Sequence, residues 1–109
     1  MEKFVKGDIV VIPFPFSDLS GSKKRPALVL ADLHGDDIIL CQITSQQTKD
    51  KYAIAIQDSD FKTSKLTTPS NIRPNRIFTA DKNIIIKKAA SLDKAAFNSV
   101  IQKVISILS

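Results

Sequence analysis

The apolar residues of this chain fall in short bursts, each bounded by a turn-forming cluster. Gly7-Asp8 opens the run Ile9-Val10-Val11-Ile12, which is short and β-branched and predicts a buried strand. Pro13 and Pro15 then alternate with Phe14 and Phe16. Prolines cannot donate to a ladder, so this segment must leave the sheet or follow its edge. Ser17 to Lys24 reads as a polar loop. Arg25-Pro26 leads into Ala27-Leu28-Val29-Leu30-Ala31, a second buried strand. The turn His34-Gly35-Asp36-Asp37 separates it from a third, Ile38 to Ile43, which ends on the polar cluster Thr44 to Lys49. Tyr52 to Ile56 alternates apolar and small residues. Ser70 to Pro74, Arg76 to Thr79 and Ile84 to Lys88 are three further short extended pieces.

The period changes at the C-terminus. Phe97, Val100, Ile101, Val104, Ile105 and Leu108 recur every three or four residues, the stripe of an amphipathic helix. Ser91 is its expected N-cap, with Asp93 in the first turn. Several short strands closed by one helix predict a mainly β protein. The expected form is a small, mainly antiparallel barrel or sheet with the helix packed on it. One domain over residues 1–109 is expected, since the pattern shows no linker, repeat or low-complexity segment.

Composition narrows the chemistry. A single cysteine, Cys41, leaves no intramolecular disulfide, and with one histidine, His34, no His/Cys metal cluster can be built from one chain. No metal site and no cofactor are expected: Asp36-Asp37 and Asp58-x-Asp60 lack the further oxygen ligands a divalent cation takes. Three glycines leave no phosphate-binding glycine loop. No apolar run approaches the ~20 residues of a membrane span, and Met1 to Gly7 has no apolar signal region. A cytoplasmic protein with no membrane partner is the expectation.

The net charge is +5 and unevenly placed. Residues 1–60 carry seven basic and nine acidic side chains, residues 61–109 nine and two. Such an excess suits an anionic partner, nucleic acid being the commonest, or plain solvation, since thirteen of the sixteen basic residues are lysine. The three arginines are more specific. Arg25 lies between a loop and a buried strand, where its fork can take a phosphate in bidentate fashion. Arg73 and Arg76 flank Pro74, and Thr44-Ser45 lies where a strand runs out. Each also has a bland reading, as a surface ion pair or a strand cap, and spacing alone favours that reading for each one singly.

Taken together, Gly7-Asp8-Ile9-Val10, the loop to Lys24 and Arg25-Pro26-Ala27-Leu28-Val29-Leu30 resemble the opening of the MazF/PemK family of toxin endoribonucleases. The likeness continues through Ile43-Thr44-Ser45-Gln46, Ser70-Asn71-Ile72-Arg73 and Phe78-Thr79-Ala80-Asp81 to the final helix. It therefore covers nearly the whole chain in order. The resemblance implies a small SH3-like barrel of antiparallel strands with a C-terminal amphipathic helix, and a homodimeric toxin of a type II toxin–antitoxin pair that cuts single-stranded RNA at short sequences without a metal. It implies 2′-hydroxyl attack, leaving a 2′,3′-cyclic phosphate and a 5′-hydroxyl, and neutralisation by a short acidic antitoxin. By position, Arg25 and Thr44 match the family's catalytic pair. On this resemblance Arg25 would stabilise phosphate charge, a safer role than donating a proton to the leaving group, and Thr44 would orient the 2′-hydroxyl or the scissile phosphate. Ser45 and Gln46 would line the same cleft. Phe16, Ser17, Lys23 and Lys24 belong to the segment that covers the RNA, and Arg73 and Arg76 would add phosphate contacts. Phe14 and Phe16 either stack on bases or anchor the loop to the barrel, the commoner use of such residues. The last helix and the Pro-Phe segment are the candidate dimer surfaces.

Two departures stand out. One branch of the family has Arg-x-Asp where this chain has Arg73-Pro74-Asn75, and Asn75 cannot ionise to act as a base. The Arg25/Thr44 assignment of the other branch is retained. Many relatives carry an arginine where this chain has Phe78, and Arg76 lies two residues earlier, on the same face if the strand is regular. The alternative class is a non-catalytic binding protein on the same barrel, either a gyrase-poison-like toxin or a silent RNA-binding relative.

Overall fold

The structure is a computed structural model that describes residues 3–14, 23–45, 50–66 and 68–109. Its strands are β1 (Asp8–Phe14), β2 (Lys23–Asp32), β3 (Asp37–Thr44), β4 (Ile54–Ala55), β5 (Phe61–Thr63), β6 (Asn71–Asp81) and β7 (Lys87–Leu92), followed by the helix α1 (Lys94–Leu108). They form one antiparallel sheet in the order β4-β6-β3-β2-β1-β7-β5. The sheet is curled into a half-barrel with α1 packed on it, so the mainly β architecture with one closing helix is as the pattern predicts.

Three central strands, β1, β2 and β3, are apolar on both faces, and two core clusters result. One holds Ile9, Leu28, Cys41, Ile43 and Val100, with Phe97 and Ile101 of α1 packed against it. The other holds Val10, Ile12, Ala27, Val29, Ile38 and Leu40. Burying apolar atoms on both sides is what continuous apolar runs such as Ala27 to Leu30 require.

The prolines sit where a missing N–H does no harm. β1 pairs with β7 only as far as Val11, so Pro13 lies on a stretch with β2 as its single neighbour among the described residues. Pro26 lies one residue before β2 gains β3 as a partner, at Ala27↔Gln42. Pro74 is fully buried and falls in a bulge of β6. There Cys41↔Ile77 is followed by Gln42↔Arg73, so Pro74, Asn75 and Arg76 have no partners on β3. Two pieces expected to be separate are thereby one bulged strand.

Local boundaries also differ from the sequence reading. The helix N-cap is Asp93, whose side chain accepts from the Ala96 N–H at 2.7 Å. Ser91 instead lies within β7, opposite Asp8, and donates to Asp8 Oδ1 at 3.1 Å. Asp81 accepts from the Asn83 N–H and starts a 3-10 turn over Lys82–Ile84, so β7 begins at Lys87 rather than Ile84. Only Ile54 and Ala55 of the expected Tyr52–Ile56 strand pair with β6, and Tyr52 is exposed.

Asp8 is the polar hub where the N-terminal segment meets β7. It is buried, accepts from the Val5 N–H at 2.9 Å and from Ser91 Oγ, and lies 3.9 Å from Lys88 Nζ. Removing a buried acceptor leaves its donors unpaired. Asp8→Ala should therefore cost about 2 kcal/mol in urea unfolding. Gly35, at φ +81° in the β2–β3 turn, has open space around a would-be Cβ. Gly35→Ala should cost about 1 kcal/mol, from backbone strain alone. A loss near zero would show that the turn relaxes to another conformation.

Candidate active site

β1 continues through Pro13 and Phe14, and this draws β2 back to Lys23. The pairs are Ile12↔Arg25, Pro13↔Lys24 and Phe14↔Lys23. Lys23 and Lys24 are therefore exposed strand residues, not part of the loop to which the sequence reading gave them. Arg25 is half-buried opposite the fully buried Ile12. Phe16, Ser17 and Gln46 lie outside the described residues.

The β2–β3 ladder runs Val29↔Leu40, Leu28↔Cys41 and Ala27↔Gln42. Carried two residues past its last pair, the same register sets Arg25 level with Thr44. Residues opposite one another on antiparallel strands share a face. Lys24 and Ser45 fall level with one another on the other face. They line an open cavity of about 220 Å³ with Arg25 and Pro26, and Leu66 and Ser70 close its far side. Thr44 does not line that cavity; it pairs with Asn71 of β6. The strand ends thus carry a cavity with Lys24 and Ser45 on one side and the Arg25/Thr44 level on the other. Arg25 contributes to both.

The third strand adds another guanidinium. Gln42↔Arg73 sets Arg73 on the face of Gln42, hence on that of Thr44 two residues along. Thr44 on β3 is flanked by Arg25 on β2 and, diagonally, by Arg73 on β6. The two arginines are in different states. Arg25 has no carboxylate partner among the described residues. Arg73 Nε donates to Asp50 Oδ2 at 3.2 Å, with Asp50's side chain only 8% exposed. Asp50 Oδ1 accepts the Tyr52 N–H at 2.9 Å. That bond, and after it the Arg73 and Asn75 side chains, hold the Asp50 carboxyl below the usual carboxylate range. Reading the sequence did not single out Asp50; its one local signal is an Asx-turn two residues before Tyr52.

The remaining candidates separate clearly. Arg76 is exposed and lies inside the β6 bulge. The alternation that would put it on Phe78's face is interrupted there, and Phe78 itself packs against the second core cluster. His34 is exposed in its turn. Cys41 is fully buried, and burial pushes its thiol up to about 12, which leaves it unreactive at neutral pH. Among the described residues no three His, Cys, Asp or Glu side chains are grouped to hold a metal ion. No helix among them is long and apolar enough to cross a membrane. A larger adjoining cavity, about 400 Å³, has no basic residue in its lining and includes Asp58, so it does not suit a phosphate.

Known proteins share this arrangement of strands. A MazE–MazF structure from Deinococcus radiodurans superposes with a TM-score of 0.77 at 18% identity, covering 100% of this chain and 98% of the other. A mycobacterial endoribonuclease in complex with its cognate antitoxin gives 0.74 at 18% identity, covering 99% and 95%. The Mycobacterium tuberculosis toxin MazF-mt6 gives 0.69 at 14%, covering 93% and 95%. No curated protein sequence matches the chain. At such identities the superpositions establish the fold. Membership rests on sequence: residues 5–108 match the model of the PemK-like, MazF-like toxins of type II toxin–antitoxin systems, and the chain belongs to that family.

Proposed function

We propose that this chain is a sequence-selective endoribonuclease toxin that cleaves single-stranded RNA, mRNA included, without a metal ion. Its cognate antitoxin, a short acidic protein, would neutralise it in the cytoplasm. The observation that carries the reading is the β2–β3 register, which continued past Ala27↔Gln42 sets Arg25 level with Thr44, beside a cavity edged by Lys24 and Ser45. The solved relatives named as an endoribonuclease and as complexes with an antitoxin support the same reading.

The nucleophile is the substrate's own 2′-hydroxyl, so no protein nucleophile is required. Its oxygen bonds to the adjacent phosphorus while the bond to the 5′-oxygen breaks. The 2′ proton departs to a base, and the 5′-oxygen takes up a proton as it leaves. A 2′,3′-cyclic phosphate and a 5′-hydroxyl remain. The phosphorane carries extra negative charge, and Arg25, half-buried and without a carboxylate partner among the described residues, would stabilise it. A guanidinium is a poor proton donor, so charge stabilisation is its proposed role. Thr44 orients the 2′-hydroxyl or the phosphate, since a threonine hydroxyl is a poor base at neutral pH. Lys23, Lys24 and Arg76 are exposed and draw the RNA backbone, while Ser45 offers a hydroxyl at the cavity edge. Phe16, Ser17 and Gln46 keep their proposed contacts with RNA. A homodimer is proposed through the end of α1, where Ile105 and Leu108 are 50% and 75% exposed.

Incubation with mixed-sequence RNA in EDTA should give fragments with 2′,3′-cyclic ends. Arg25→Ala should lower kcat by about 10²–10³, with the thermal midpoint retained. Thr44→Ala should lower it at least tenfold. Uncut RNA at high protein concentration would overturn the enzyme reading, and RNA bound but uncut would favour a silent binder. Separately, Lys24→Ala should weaken binding of uncleavable RNA uniformly across sequences. It should also reduce the slope of log affinity against log salt by about 0.7, the change for one lost single-strand phosphate contact.

A further inference from the structure

We infer that Asp50 is a positioning residue for RNA cleavage, acting through Arg73; the inference rests on the cleft reading above. Asp50 and Arg73 are 23 residues apart in sequence, and Asp50 reaches β6 from the segment between β3 and β4. Its carboxylate is almost fully enclosed and both oxygens are committed, one to the Tyr52 N–H and one to Arg73 Nε. A pair of this kind is not the exposed surface pair whose loss is seldom felt.

The geometry of the bond matters more than its strength. The Asp50 contact takes Nε, on the inner edge of the guanidinium. The two terminal nitrogens carry no further bond among the described residues. They form the fork that grips a phosphate in bidentate fashion. A guanidinium pinned at Nε presents that fork in one orientation. A free arginine spends most of its time in others, since it has about four rotatable bonds to order.

The place where this happens strengthens the argument. Arg73 is the last residue paired with β3 before the unpaired Pro74-Asn75-Arg76 bulge, so the backbone beyond it is not held by the ladder. The Asn75 side chain, inside that bulge, also helps to hold the Asp50 carboxyl low. One carboxylate therefore ties a turn, an arginine and a bulge together on the face where Thr44 stands between Arg25 and Arg73. Electrostatics alone argues the opposite role for Asp50. A carboxylate beside an RNA site repels phosphate, so its removal should tighten binding by raising the local positive charge. Positioning and charge thus predict different signs, and this makes the inference testable.

Asp50→Asn is the selective variant. The asparagine carbonyl still accepts the Tyr52 N–H and keeps the turn, whereas its NH₂ cannot accept from Arg73 Nε. With an oligoribonucleotide that the wild-type protein cuts, Asp50→Asn should lower kcat about tenfold while KM stays level or falls. Arg73→Ala should lower kcat at least as much, and the double variant should equal Arg73→Ala alone. An unchanged or raised kcat in Asp50→Asn would overturn the inference. So would a double variant whose loss is the product of the two single losses. The Arg73 Nε–H should give a protected ¹⁵N NMR signal without RNA, lost in Asp50→Asn at an unchanged thermal midpoint. If wild-type protein cuts no RNA, the proposed function fails and the inference with it. If it cuts RNA and Asp50→Asn cuts equally well, only the inference fails.

Discussion

The site depends on the register of β2 against β3, and that register is set at the far end of the hairpin. Polarity cannot select it, because both strands are apolar on both faces along their middles and a slip would exchange one core cluster for the other. The turn and one extra residue select it instead. Next to the turn the pairs are Asp32↔Ile38 and Ala31↔Ile39, whereas beyond Leu30 they become Val29↔Leu40 and Leu28↔Cys41. Leu30 is the bulge residue. Without it, the turn's own register would bring Arg25 level with Ser45, on the face opposite Thr44. Lys82 holds this end: Nζ pairs with Asp32 and donates to the Leu33 and Gly35 carbonyls, while its N–H bonds the Asp36 carbonyl. A cation on the 3-10 turn before β7 thereby secures the geometry of a site at the opposite end of the strands.

The same device is used again on β6 with the opposite purpose. Three residues, Pro74 to Arg76, are inserted against none on β3. In a regular strand Arg73 and Ile77, four residues apart, would share a face. The insertion lets Ile77 sit level with Cys41 and Arg73 level with Gln42, which point to opposite sides. A bulge thus brings an arginine to the face of Thr44 while the rest of β6 keeps its packing. The cost is a stretch of backbone without ladder bonds, and the contacts of Asp50 with Arg73 and Asn75 replace part of that support.

How much of this is legible in the sequence follows from the range of the interactions. Runs such as Ile9 to Ile12, Ala27 to Ala31 and Ile38 to Ile43 carry their own strand signal, and the 97–108 stripe carries that of a helix. Arg25 and Thr44 stand out because each adjoins such a run. Strand ends are harder to read, since they depend on what the neighbour does. Lys23 and Lys24 look like loop residues until β1 continues through two residues that the prolines seemed to exclude. The helix cap is a choice between Ser91 and Asp93, and it is settled by β7, whose pairing with β1 commits Ser91 to Asp8. The Asp50–Arg73 pair leaves no pattern of its own, because nothing in local spacing relates a turn aspartate to a strand arginine 23 residues on.

These contacts also divide the positive charge by function. Exposed lysines such as Lys24 are strongly hydrated point charges on flexible stems, suited to holding a polyanion in many poses and easily screened by salt. Arg25 and Arg73 rise from strands in a partly buried setting, where screening is weaker and a fixed fork selects one pose. The lysines can draw RNA to the surface without favouring any phosphate, and a cut at one phosphate needs groups that cannot follow the chain as it slides. An arginine carried on a ladder, or pinned by a buried carboxylate, meets that need. In the proposed reaction the net charge of +5 would therefore describe the pull on a polyanion, while the position of the cut would depend on the two arginines whose freedom the sheet removes.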